Sequence, residues 1–147
     1  MRETMLKRYI PFVLVFILFF SCSEKNDSTA FQIDQLLRSA TWRIADYSED
    51  GTDQTSQFSG GTLNFISGSE VQTRINGGVE NGIWTLSIDP ADPNQNTVNI
   101  AFFFNSGSTF SKINRDWTVV SYSNTRIDMI YNRPSDQAVF DLVLQKN

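Results

Sequence analysis

From residue 42 to the end of the chain, apolar and polar residues alternate with a period of two, broken at intervals by glycine, proline, asparagine and aspartate. Successive side chains of a strand point to opposite faces, so the alternation marks strands that bury one face. It predicts eight of them, over 42–47, 62–66, 70–75, 79–88, 97–104, 117–122, 126–131 and 138–144. The breaks carry turn chemistry. Asn76-Gly77-Gly78 signals a hairpin, because its tight turn needs positive φ. The prolines of the 89–94 loop exclude it from a strand, and Ser123-Asn124 and 133–136 are further turns. Gly82, inside a strand pattern, marks a bulge or a close backbone approach. Ahead of the strands, Phe31, Ile33, Leu36 and Leu37 have the spacing of one short helix over 31–40.

One face of the strands collects Trp42, Ile44, Leu63, Phe65, Val71, Ile75, Trp84, Leu86 and Ile88. It continues through Val98, Ile100, Phe102, Phe104, Trp117, Val119, Ile127, Met129, Phe140, Leu142 and Leu144. The other face carries Arg43, Asn64, Gln72, Arg74, Asn99, Asp116, Asp128 and Asp141. One buried face over eight short strands with hairpin-length links suits an antiparallel sheet closed on itself. The expected fold is therefore all-β, an eight-stranded antiparallel up-and-down barrel preceded by one short N-terminal helix. A two-sheet sandwich is the alternative.

The N-terminal segment follows another pattern. Arg2, Lys7 and Arg8 precede an almost wholly apolar run over 9–20, and Ser21-Cys22 is followed at once by polar residues. This is the layout of a secretory signal peptide, and the run falls short of the roughly 20 residues of a spanning helix. Cys22 is the only cysteine and has no disulfide partner in the chain. Its position resembles the lipobox of bacterial lipoproteins, which implies cleavage before Cys22 and acylation of its thiol. Lipoproteins of this type carry more than one acyl chain, and two or more hold firmly where one holds marginally. The alternative is an ordinary signal peptide with an incidental free thiol. The domain plan is then a signal peptide over 1–21, a lipidated cysteine and flexible tether over 22–30, and the barrel over 31–147.

Composition narrows the function. Removing 1–21 takes three basic residues and one acidic residue from totals of 12 and 16, leaving nine and fifteen and a net charge of −6. Such a chain lacks the basic footprint of a nucleic-acid binder. It also contains no histidine, the side chain most used for acid–base catalysis and metal ligation near neutral pH. With Cys22 committed to lipid, no thiol remains for chemistry.

Several segments together resemble the small lipocalin-like lipoproteins of Gram-negative bacteria. They are Leu37 with Trp42-Arg43-Ile44, Tyr47 with Asp50-Gly51-Thr52-Asp53-Gln54-Thr55 and Phe58, Leu63-Asn64-Phe65, Gly82-Ile83-Trp84, Asp116-Trp117-Thr118-Val119, and Leu142-Val143-Leu144-Gln145-Lys146. The likeness runs from about Leu36 to Asn147. It implies a barrel in which Trp42 closes one end, with Lys146 of the last strand as a candidate stacking partner.

The candidate chemistry is that of binding. The inward Trp84, Phe102, Phe104 and Trp117, with Phe65, either line an apolar pocket or fill the barrel, since eight strands leave room for their own side chains or one small ligand. Outward-facing Phe103, Val120 and Ile130 either pack under the helix or form a contact patch. Glu49, Asp50 and Asp53, and likewise Asp89 and Asp92, read as solvated turns rather than a calcium loop, because the spacing of such a loop is missing. The expectation is a lipid-anchored protein of the cell envelope, on the outer membrane with its face undecided. It binds a small apolar molecule without catalysis, cofactor or metal. The alternative is an anchored interaction module with a filled barrel and an envelope protein as partner.

Overall fold

A computed structural model of the chain describes residues 28–66, 68–94 and 96–147. The expected signal peptide (1–21), Cys22 and the tether up to residue 27 lie outside the described residues.

The helix, α1 (Thr29–Arg38), starts where the Ser28 hydroxyl oxygen accepts the backbone N–H of Phe31 at 3.3 Å. That side-chain cap satisfies one of the N–H groups a helix start leaves without an intrahelical partner. Ala30, Ile33 and Leu37 form its buried stripe. The strands follow as β1 (Thr41–Glu49), β2 (Thr52–Asp53), β3 (Thr62–Phe65), β4 (Glu70–Ile75), β5 (Gly78–Ile88), β6 (Val98–Phe103), β7 (Asp116–Ser123), β8 (Arg126–Asn132) and β9 (Val139–Lys146). Each of β3 to β8 pairs antiparallel with the next, β1 pairs with β3, and β1 also pairs with β9 from Trp42↔Lys146 to Glu49↔Phe140. That last pairing closes the sheet. The two-residue β2 is a flap on β1, so eight strands make the ring, and the fold is a closed barrel rather than a sandwich.

Local chemistry fixes the turns. Asn76 and Gly77 have φ of 51° and 81° between paired Ile75 and Gly78. Asp50 and Gly51, at 50° and 75°, make the same kind of turn between Glu49 and Thr52. Both match the positive φ that two-residue hairpin loops require. The β1–β9 register shifts between Ile44 and Asp46. This bulge adds a residue, so Trp42 and Ile44 point inward and Tyr47 also ends up buried. Gly82 marks a close approach: a Cβ there would collide with the ring of Phe104.

All the inward residues expected from the alternation are buried or partly buried. Both openings are covered. At one end α1 packs on β1, β3 and β5. At the other, a 3-10 helix over Thr109–Ile113 contributes buried Phe110 and Ile113. It meets a second 3-10 helix, Thr55–Phe58, which carries Phe58 inward where β1 has parted from β3. The interior is apolar and the outward positions largely polar, the inverse of a barrel that spans a membrane.

Candidate functional site

Of the expected binding residues, Phe65 and Trp84 are 2 % exposed, Phe104 is 7 %, and Phe102 and Trp117 are fully buried. Their inward direction follows from strand alternation, and their rings spend it on one another. Phe65 meets Trp84 edge-on at 5.1 Å between ring centres and Phe102 at 6.2 Å. Phe102 then stacks with Phe104 at 6.4 Å, and Phe104 touches Phe110 at 5.6 Å. The series runs on through Phe58 and Tyr47 to Trp117, then Tyr131 and Phe140, with centre separations of 5.3 to 6.4 Å. Four of the five expected residues therefore form one cluster. Trp117 belongs to the same buried core, and its ring contacts reach the four through Tyr47, Phe58 and Phe110.

The links that complete this series are what sequence reasoning missed. Phe58 and Phe110 sit in short 3-10 turns within stretches that read as loops. The available signal was an isolated phenylalanine beside Ser108, whose hydroxyl oxygen accepts the Phe110 N–H at 3.0 Å.

Cations finish the series at both ends. The Arg38 guanidinium lies 5.1 Å above the Trp84 ring. It is held there by Asp34 and by the carbonyl oxygens of Ile66 and Gly68, at 2.9 and 2.8 Å. Arg115 lies 4.0 Å from the centre of Phe140, with Arg133 at 5.2 Å. Arg115 also donates to the Tyr47 hydroxyl at 3.2 Å. Burial pushes the Tyr47 phenol above its ordinary value, while the Arg115 charge and hydrogen bond oppose the rise. Lys146 stands opposite Trp42 in the β1–β9 register, but the polar contact of that indole is with the Leu37 carbonyl. Trp117 donates likewise to Ile113, whereas Trp84 Nε1 is buried with no hydrogen-bond partner.

Two clefts lie on the outside of the barrel, one on each side of α1. One of about 480 Å³ lies between α1 and the β7–β8 turn, lined by Phe31, Gln32, Leu36, Tyr122 and Asn124. Another of about 440 Å³ flanks the opposite side of α1, and Trp84 is the one expected residue that reaches it. Phe103 and Val120 are exposed and Ile130 is partly so. Phe103 is the cross-strand neighbour of exposed Ile83.

The acidic turns are occupied with their own backbone. Asp92 accepts the N–H groups of Asn94, Asn96 and Thr97 and the Thr97 hydroxyl, which holds its carboxyl down at about 2. Hydrogen bonds from Thr55 lower Asp53 in the same way. Among the described residues no group of three or more His, Cys, Asp or Glu side chains gathers in a way that could hold a metal ion.

No protein-family model matches the chain, and no curated protein or solved structure is significantly similar to it.

Proposed function

We propose that this chain is a lipid-anchored, non-enzymatic interaction module of the outer membrane, with a filled barrel as a rigid scaffold for contacts made on its outer surface. The observation that carries the reading is the continuous series of packed rings from Trp84 to Phe140, with a plug at each barrel end. A ligand inside would have to displace rings that already contact each other at ordinary aromatic distances. The anchor rests on Cys22 and on the signal-peptide layout before it. The absence of histidine and the commitment of the lone thiol favour holding over transforming.

A second reading, a mainly apolar ligand with one hydrogen-bond acceptor beside α1, is favoured by one observation. Trp84 Nε1 is an unsatisfied donor on a residue that lines a cleft. Native mass spectrometry of protein extracted from envelopes separates the two. The scaffold reading expects the mass of the acylated chain alone. A small molecule that copurifies in equal amount, and is lost on Trp84→Phe, would overturn it. Cell fractionation of Cys22→Ser tests the anchor; unchanged membrane attachment would sink it.

A further inference from the structure

Resting on the anchor just proposed, we infer that the helix-plugged end of the barrel lies against the bilayer, with Phe31 and Tyr122 seated among the lipid headgroups. Chain length sets the distance. Ser28 caps α1 and is six residues from Cys22. A fully extended chain of that length spans only about 20 Å. The first turn of α1 is therefore held near the acyl chains, and the surface around it must suit a lipid neighbour.

Its chemistry does. The cleft between α1 and the β7–β8 turn is lined by Phe31, Gln32, Gln35, Leu36, Tyr122, Ser123 and Asn124, none of them charged. The two charges on α1, Asp34 and Arg38, pair at 2.9 Å, and Arg38 is further tied down by two backbone carbonyls. On a chain with a surplus of acidic residues, a neutral face is the one that an anionic bilayer repels least. Phe31 is 47 % exposed and Tyr122 39 %, and the Tyr122 hydroxyl donates to Gln32 Oε1 at 2.8 Å. Aromatic side chains with a polar tip favour the headgroup layer. The other exposed apolar pair, Ile83 and Phe103, fits a bilayer less well, since Glu70 stands beside Ile83 in the β4–β5 register.

The test uses the full acylated protein in phosphatidylethanolamine–phosphatidylglycerol vesicles. Acylation occupies Cys22, so Gln35→Cys, Ser123→Cys and Ser135→Cys each offer one free thiol for an environment-sensitive fluorophore. Ser135 lies in the β8–β9 turn at the far end of the barrel. Headgroup spin-labelled lipid is expected to quench the probes at 35 and 123 severalfold more than the probe at 135, at a depth of about 5–10 Å or less. Adding Phe31→Glu and Tyr122→Glu is expected to abolish the difference. Equal quenching at all three positions, in protein that is acylated and floats with the vesicles, overturns the docking and leaves the anchor standing. Shielding at 35 and 123 without lipid spin label, accompanied by cross-linked dimers, assigns the face to a second copy and also overturns it. Protein that is neither acylated nor vesicle-bound sinks the anchor, and the docking with it.

Discussion

The indole N–H of Trp42 donates to the carbonyl oxygen of Leu37 across 2.9 Å, joining the first barrel strand to the last turn of the helix that plugs the barrel. Carbonyls in a last helical turn have no intrahelical donor, so a wall tryptophan satisfies the plug as well as itself. Trp117 donates to Ile113 at the opposite end, also at 2.9 Å, onto a carbonyl that the Arg115 N–H reaches as well, at 2.7 Å. Trp84, the third buried tryptophan, has no such partner.

These three indoles separate hydrogen bonding from volume. Each Trp→Phe change removes the same atoms from the core. Trp42→Phe also strands the Leu37 carbonyl, at about 1–3 kcal/mol, whereas Trp117→Phe gives up one bond to an Ile113 carbonyl that keeps the Arg115 N–H. Trp84→Phe deletes a donor that is already unsatisfied. Urea unfolding is expected to rank Trp84→Phe as the least destabilising of the three; equal losses would refute the assignment of the two bonds.

Gly82 tests how tightly the interior is filled. A methyl group there meets the Phe104 ring, so Gly82→Ala is expected to lower stability by about 1–3 kcal/mol through overpacking. Phe104→Leu should recover part of the loss in the double variant, and a double-mutant cycle reads that coupling. Additive effects would show that the ring moves aside freely.

Arg115 holds the far end through its planar fork, stacked on Phe140 and bonded to Tyr47. Lysine keeps the charge and loses that geometry, so Arg115→Lys should cost about 0.5–2 kcal/mol. Tyr47 has its folded pKa raised above the unfolded value. Its contribution is thus fully present below the unfolded value and is lost as pH rises through the folded one. Melting temperature should fall in the alkaline range. Arg115→Met should move the Tyr47 ionisation, followed by ultraviolet absorbance, further upward.

Acid acts through the turns. Asp53, Asp92, Asp128 and Asp136 all have lowered pKa values in the folded chain, Asp92 to about 2. Hydrogen bonds lead in each case: Thr55 on Asp53, Asn94 on Asp92, Arg126 on Asp128 and Arg133 on Asp136. Stability from depressed carboxylates is present above their unfolded values, about 3.9, and is lost as pH falls through the folded ones. Carboxyl NMR should place the Asp92 midpoint near 2. Asp92→Asn should flatten the acid limb of the stability curve; an unchanged limb would show that the 89–97 loop already opens in mild acid.

The barrel was legible because alternation is a strong local signal, and Asn76-Gly77 and Gly82 carried their own backbone requirements. The plugs were not. A 3-10 turn of four or five residues has no period to detect, so Phe58, Phe110 and Ile113 read as loop residues although each is buried. The bulge before Asp46 likewise shifted Tyr47 inward without any mark in its neighbours. The same omission left two uses open for Phe65, Trp84, Phe102, Phe104 and Trp117. Whether inward aromatics enclose a space or fill it depends on what covers the ends, and the covering residues lie outside the strands. The uncharged cleft lining between Phe31 and Tyr122 was equally hidden, since it joins a helix to a turn far away in the chain.

The seam between β1 and β9 also governs how the protein is made. Its ladder joins Trp42 to Lys146 and Glu49 to Phe140, strands that lie at opposite ends of the domain sequence. Hairpins such as β4–β5 form from neighbouring residues, but the ring cannot lock until the final eight residues of β9 arrive. Non-local closure of this kind places folding in the range of about milliseconds to seconds. A nascent chain lacking its last strand exposes two open sheet edges, so a truncation there is a lesion of assembly rather than of local stability.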